Sequence, residues 1–184
     1  MGRGAAQRLW QLGIPLGKIT AVLLTHLHSD HTVGIPDLWL TGWLHNGYGG
    51  RRAPFQIYGP AGTADLMANM GKAYAWDIRT READEELPPA GIAVAAKDVT
   101  AGVVFERNGV KVTAFNTDHG DLIKPTLGYR VDCGGHSIVL TGDTRPSAEI
   151  VKASKGVDVG EHGDEACNRS ARVTAGRGSR FHAH

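Results

Sequence analysis

The pattern of apolar and polar positions divides the chain into an alternating first part and a strand-rich second part. Residues 5–13 carry Leu9, Trp10 and Leu12 at helical spacing, with Gly13 as a stop and Pro15 beyond it. The run 19–24, Ile-Thr-Ala-Val-Leu-Leu, is continuous and aliphatic, as expected for a buried strand in a covered sheet. Apolar residues return at helical spacing over 34–44. A short strand over 55–60 ends at Gly59-Pro60, and a helix is predicted over 63–76 with Thr63 as its N-cap. The stretch 77–91, rich in Arg, Glu, Asp and Pro, is expected to be a solvated connector.

After residue 92 the period shortens toward strands. Runs over 93–99, 102–116 and 128–143 are punctuated by Asn108-Gly109 and Gly134-Gly135, both hairpin-turn signals. A short helix (148–154) and a strand beginning at 156 follow. This order is that of an α/β layer architecture without repeats. From Gly160 onward only Val173 and Phe181 are large and apolar, so a domain over 1–159 and an irregular, disordered tail over 160–184 are expected.

Composition narrows the function classes. The 184 residues include 41% hydrophobic and 21% charged positions, the balance of a globular chain rather than a disordered one. A formal net charge of +1 argues against a general polyanion binder. No apolar run reaches about 18 residues, so no transmembrane helix is expected, and no secretory h-region opens the chain. Cys133 and Cys167 cannot build a disulfide framework and read as reduced thiols, consistent with a cytoplasmic location. The 9 histidines direct attention to metal chemistry.

The main signal is His26-x-His28-x-Asp30-His31, directly after the 19–24 strand. Imidazole nitrogen and carboxylate oxygen suit Zn²⁺ and related cations. Side chains at i and i+2 of an extended segment point the same way. His26 and His28 can therefore share one ion, and a turn at Ser29 lets Asp30 and His31 face a second. His119 follows one predicted strand and Asp143 another, so both sit at strand exits, where residues distant in sequence can gather. An Asp carries two oxygens and can bridge two cations.

These residues resemble the metallo-β-lactamase fold superfamily of metallohydrolases. The resemblance rests on Thr25-His26-Leu27-His28-Ser29-Asp30-His31, Gly34-Ile35-Pro36-Asp37-Leu38, Tyr58-Gly59-Pro60-Ala61-Gly62-Thr63, Asp118-His119-Gly120, Gly128-Tyr129-Arg130 and Thr141-Gly142-Asp143-Thr144, in family order over about residues 2–162. The branch it looks most like contains ribonuclease Z and arylsulfatase- and phosphodiesterase-type hydrolases. The resemblance implies an αββα sandwich, here incomplete and with an irregular C-terminal tail. It implies His26, His28 and His119 on a first zinc, Asp30 and His31 on a second, and Asp143 bridging them. The two ions, about 3.5–4 Å apart, would clamp a hydroxide that attacks a phosphate, sulfate or carboxylic ester. Asp30 or Asp143 would orient the hydroxide while ligating.

His162 falls where ribonuclease Z relatives carry a His-Glu motif linked to proton transfer, with Gly163 in place of the Glu. The family's further second-metal histidine has no counterpart before His184, and neither His182 nor His184 sits in a predicted rigid element. A weakened second zinc site, with Asp30, His31, Asp143 and water, is therefore expected. The chain reads as the middle of a larger domain, its tail either a divergent ending or out-of-register translation.

The expected partner is a small-molecule ester or RNA, without a membrane; a homodimer is compatible with this reading. The long tRNA-gripping arm of ribonuclease Z is not visible. Arg51-Arg52 and Arg79-Arg81 read as solvated faces. Trp39, Trp43 and Tyr48 fit either a pocket for an aromatic leaving group or the core, and Tyr74 and Trp76 are assigned to the core. Two other readings compete: a catalytically impaired metal-binding fragment, and a redox di-iron protein, which would need more carboxylates and a flavin partner domain than the sequence offers.

Overall fold

The aliphatic run at 19–24 forms only a short paired strand, β1 (Val22–Leu23), because a neighbouring strand lies beside just part of it. The computed structural model describes residues 1–45, 47–163 and, as backbone only, 180–182. Two compact units divide the chain, Met1–Asp98 and Val99–His184.

In the first unit β1, β2 (Phe55–Gly59) and β3 (Val94–Asp98) form a parallel sheet in that order. Parallel neighbours require crossovers, and helices supply them. Helix α1 (Ala5–Gln11) and a 3₁₀ turn (Leu16–Lys18) precede β1. Between β1 and β2 lie α2 (Ser29–Thr32) and α3 (Ile35–Thr41), the latter with Pro36 in its first turn, where a missing N–H costs nothing. Between β2 and β3 lie α4 (Thr63–Ala73), α5 (Ala75–Asp84) and α6 (Pro89–Ile92). Leu24, Ile35, Leu38, Trp39, Trp43 and Ile57 anchor the core of this unit.

Several expectations change here. Residues 77–91 are not a connector but carry most of α5 and most of α6. No residue of α5 is buried, so it shows no apolar stripe; Arg81 instead pairs with Asp77 at 2.9 Å and Glu85 at 2.5 Å, one turn away on either side. Trp76 is 71% exposed and Tyr74 37%, so neither is core. Trp39 and Trp43 are core rather than pocket, their indole N–H groups donating to Ile92 O and Pro88 O at 2.9 Å. Tyr48 stacks on Trp10 with ring centroids 3.7 Å apart.

Arg51 is not on a solvated face. It is buried, its Nε donates to Gly91 O at 2.9 Å, its Nη2 donates to Trp39 O, and its guanidinium lies 5.0 Å above the Phe55 ring. Burial pushes its pKa down to about 10. Thr63 is likewise not the N-cap of α4: that position belongs to Gly62, whose φ of 99° suits glycine. The cap comes from far along the chain, as Asp98 accepts from Gly62 N at 3.0 Å and Ala64 N at 2.9 Å.

In the second unit β4 (Gly102–Arg107), β5 (Val110–Asn116), β6 (Leu127–Cys133) and β7 (His136–Leu140) form an antiparallel meander. Its tight turns are the two glycine-containing pairs, with positive φ at Asn108, Gly109, Gly134 and Gly135. Helix α7 (Ala148–Ala153) then crosses to β8 (Val159–Glu161), parallel to β7. Ser147 caps α7, accepting from Ile150 N at 3.3 Å, and Arg130 donates to Ala153 O and Lys155 O at its far end. Phe115, Val139, Ile150 and Val157 form a small core.

The last strands differ from expectation. The segment predicted to start at 156 first makes a turn, and the strand begins at Val159 and carries Gly160 and Glu161. Arg180–His182 adds β9 parallel to β8, at a place where the sequence suggests no element. Backbone pairing supplies these strands with bonds that side-chain patterning does not announce. Residues 164–179, with Cys167, and residues 183–184, with His184, lie outside the described residues. Among the described residues no helix is long and apolar enough to cross a membrane. Mixed helices and sheets of this kind bear out the α/β expectation.

Candidate metal centre

The chain leaves the first unit's sheet at Leu24, whose N–H still donates to Tyr58 O at 2.8 Å. It then runs through Thr25–His28 and turns into α2, with His28 extended at φ −60° and ψ 147° as the residue before the helix. Thr32 Oγ1 donates to His28 O at 3.0 Å and ties this turn. Gly34 N donates to Met1 O at 3.0 Å, and a Cβ on Gly2 would meet Asp30 O at 2.5 Å, so the first residues of the chain pack on the loop backbone.

This path brings three imidazoles together. His26 is buried, and its Nε2 lies 3.2 Å from His28 Nδ1. The His26 and His28 rings meet edge to face at 4.7 Å, and the His26 and His31 rings lie 4.2 Å apart. Thr25 Oγ1 is 3.1 Å from His26 Nδ1, the kind of outer contact that fixes a ligand's ring and tautomer. Asp30 is mostly exposed and sits with Oδ2 3.5 Å from His31 Nε2.

The donor set fits a divalent cation. Two nitrogens each about 2.0–2.1 Å from a tetrahedral ion lie roughly 3.3 Å apart. The 3.2 Å between His26 and His28 is that separation, with a nitrogen of His31 also within 4.8 Å of one on His26.

In the second unit His119 and Asp143 occupy the loops that follow β5 and β7, as the sequence predicts. Residues given no role in the sequence reading hold these loops. Asp118 N donates to Thr144 Oγ1 at 3.0 Å, Arg145 N donates to Asp118 O at 2.7 Å, and Arg145 Nη2 donates to Asp118 Oδ1 at 2.9 Å. The N–H of Gly120 and the guanidinium of Arg145 hold the Asp118 carboxyl below its usual range. Asp118 and Thr144 flank the chemistry-bearing positions within motifs that the sequence displays, which is the signal that could have found them. His162 follows β8 and is half-buried, and burial lowers its pKa.

Comparison with known proteins agrees with these motifs. The β-lactamase superfamily domain matches residues 3–160. The chain is 39% identical over 155 residues to ribonuclease Z of Mycolicibacterium gilvum, covering 84% of this chain and 54% of the relative. It is 38% identical over 164 residues to ribonuclease Z of Mycobacterium bovis BCG Pasteur, covering 88% of this chain and 57% of the relative. The chain thus spans a little over half the length of these relatives. Among solved structures, the short form of human tRNase Z is similar with a TM-score of 0.63 at 23% identity, over 88% of this chain and 64% of that one. The metallo-β-lactamase fold protein YhfI from Bacillus subtilis has a TM-score of 0.62 at 20% identity, over 88% of this chain and 56% of that one. These two likenesses concern the fold, whereas the match over 3–160 takes in most of the sequence. On that match this chain belongs to the β-lactamase superfamily, in its metallo-β-lactamase fold.

Proposed function

We propose that this chain is a metal-dependent hydrolase of the ribonuclease Z type that cleaves a phosphodiester, with RNA as the favoured substrate class. The observation that carries the reading is the pair of facing imidazoles, His26 and His28, held 3.2 Å apart at the exit of a parallel strand. The names of the relatives similar to it support the substrate class.

In this reading His26, His28 and His119 hold a first zinc, Asp30 and His31 hold a second, and Asp143 serves both. Bound zinc supplies Lewis acidity toward the ester oxygens and makes water a nucleophile near neutral pH. The chain's own residues do the rest. Burial keeps His26 in one orientation, with Thr25 on its outer nitrogen. Asp30, exposed beside His31, is placed to orient the nucleophile. His162 carries the proton toward the leaving group. Burial lowers its pKa, which favours the neutral imidazole, whose lone pair can accept a proton that the resulting imidazolium then passes on.

The test is metal analysis followed by turnover. Purified protein refolded with Zn²⁺ is expected to retain at least one ion per chain. It should hydrolyse bis(p-nitrophenyl) phosphate or precursor tRNA in preference to p-nitrophenyl sulfate, with His26→Ala and Asp143→Ala abolishing both retention and turnover. Preference for the sulfate would move the substrate class to sulfate esters. Metal retention without any turnover would favour the metal-binding-fragment reading, and no retained metal would overturn both.

A further inference from the structure

We propose that Arg145 and Asp118 form a clasp that sets the spacing of His119 and Asp143, and that this ion pair is a positioning device for metal binding. The inference rests on the proposed metal site, since it concerns two of its ligands.

The loop after β5 carries Asp118, His119 and Gly120, and the loop after β7 carries Asp143, Thr144 and Arg145. Each candidate ligand is therefore one or two residues from a partner in the clasp. The backbone of Asp118 is engaged on both sides. Its N–H donates to Thr144 Oγ1 at 3.0 Å, and its carbonyl accepts from Arg145 N at 2.7 Å. The Thr144 hydroxyl, fully buried, has one proton and two carbonyls in reach, Arg145 O at 3.0 Å and Asp118 O at 3.3 Å. The Asp118 carboxylate completes the link: Oδ1 accepts Arg145 Nη2 at 2.9 Å and, on the other side of His119, the Gly120 N–H at 3.1 Å. Asp121 stands further out, 3.9 Å from Arg145.

His119 is thus spanned by a carboxylate that grips its following residue and the opposing loop at once. A guanidinium is suited to that task because its donors are fixed in a plane, whereas a lysine ammonium is a point charge on a flexible stem. The Arg145 and Asp118 side chains are about half exposed, at 53% and 46%. Exposed pairs of this kind contribute little to overall stability. Their effect should then fall on ligand placement and not on folding, and outer partners of metal ligands change metal affinity by about 10–100-fold.

The experiment compares wild type, Arg145→Ala, Arg145→Lys, Asp118→Asn and the Asp118→Asn/Arg145→Ala double variant. Zn²⁺ titration is read by calorimetry, Co²⁺ substitution by the visible spectrum, and the metal-free protein by thermal melting. Expected are a Zn²⁺ affinity about tenfold or more weaker in Arg145→Ala and Asp118→Asn, a smaller loss in Arg145→Lys, and an altered Co²⁺ spectrum. The double variant should be no worse than the single ones, and metal-free melting should be nearly unchanged. Wild-type affinity and spectrum in Arg145→Ala would overturn the clasp alone. A loss of affinity that only tracks a loss of melting temperature across all the variants would also overturn it. A wild-type chain that takes up neither Zn²⁺ nor Co²⁺ would overturn the metal site itself, and the clasp with it.

Discussion

Gly163 lies so close to Asp143 that a Cβ at position 163 would stand 2.8 Å from Asp143 Oδ1 and 2.8 Å from Gly142 O. One of these atoms belongs to a rigid backbone, so the carboxylate would have to give way. Gly163→Ala is therefore expected to shift Asp143 and weaken Zn²⁺ binding by roughly tenfold, the scale of a disturbed metal shell. Gly163→Glu, with a longer side chain beside the same carboxylate, should do so more strongly. Calorimetric Zn²⁺ titration checks this, and unchanged affinity in both variants would show that Asp143 tolerates the crowding.

The long-range cap on α4 predicts an acid-dependent stability. Asp98 accepts the Gly62 and Ala64 N–H groups, and these bonds, with Ala64 the largest cause, hold its pKa below the ordinary 3.8. A carboxyl lowered in the folded state contributes stability above its unfolded value, and that contribution is lost as pH falls through the folded one. Asp98→Asn should lower stability at pH 7 by no more than about 1 kcal/mol, as suits an exposed cap. The difference from wild type should fade as pH drops below 3.8. Urea melts at pH 7, 4 and about 2.5 would show the two curves converging.

Gly42 and Arg51 predict two different costs, crowding at the glycine and lost hydrogen bonds at the arginine. A Cβ on Gly42 would lie 2.6 Å from Arg51 Nη1 and 2.7 Å from Leu38 O. Gly42→Ala should destabilise the protein by about 1–3 kcal/mol, as overpacking does. Arg51→Lys should cost about 1–3 kcal/mol because one ammonium cannot reproduce the bonds to both Gly91 O and Trp39 O, leaving a buried carbonyl short. Chemical denaturation reads both.

The tryptophans separate by exposure. Trp43 is fully buried, and Trp43→Ala should cost about 3–5 kcal/mol. Trp76 is mostly exposed, and Trp76→Ser should fall within about 0.5 kcal/mol of wild type. Acrylamide quenching of native fluorescence should decline in the Trp76→Ser variant, and Trp10, 52% exposed, should supply the quenching that remains.

The histidine loop was legible because its information is local: an aliphatic run, then imidazoles at i and i+2, then a turn. The hairpins were legible for the same reason, since Asn108-Gly109 and Gly134-Gly135 carry the positive φ their turns demand. Helix α5 was hidden because it buries no residue fully and packs on the core through little more than Ile78, while charge pairs around Arg81 occupy its surface. Strand β9 was hidden because backbone pairing needs no side-chain pattern.

The α/β order, the family and the candidate donors were readable along the chain, because each shows in short runs of neighbouring positions. The folded chain alone shows that Arg51 is buried, that Asp98 caps a helix at Gly62 and Ala64, and that Asp118 answers Thr144 and Arg145. Each of these pairs residues tens of positions apart, and the pairing exists only once the chain has paid the entropy of closing the loop between them. Residue type alone leaves an arginine or an aspartate equally suited to water, and it is the folded neighbourhood that assigns the partner.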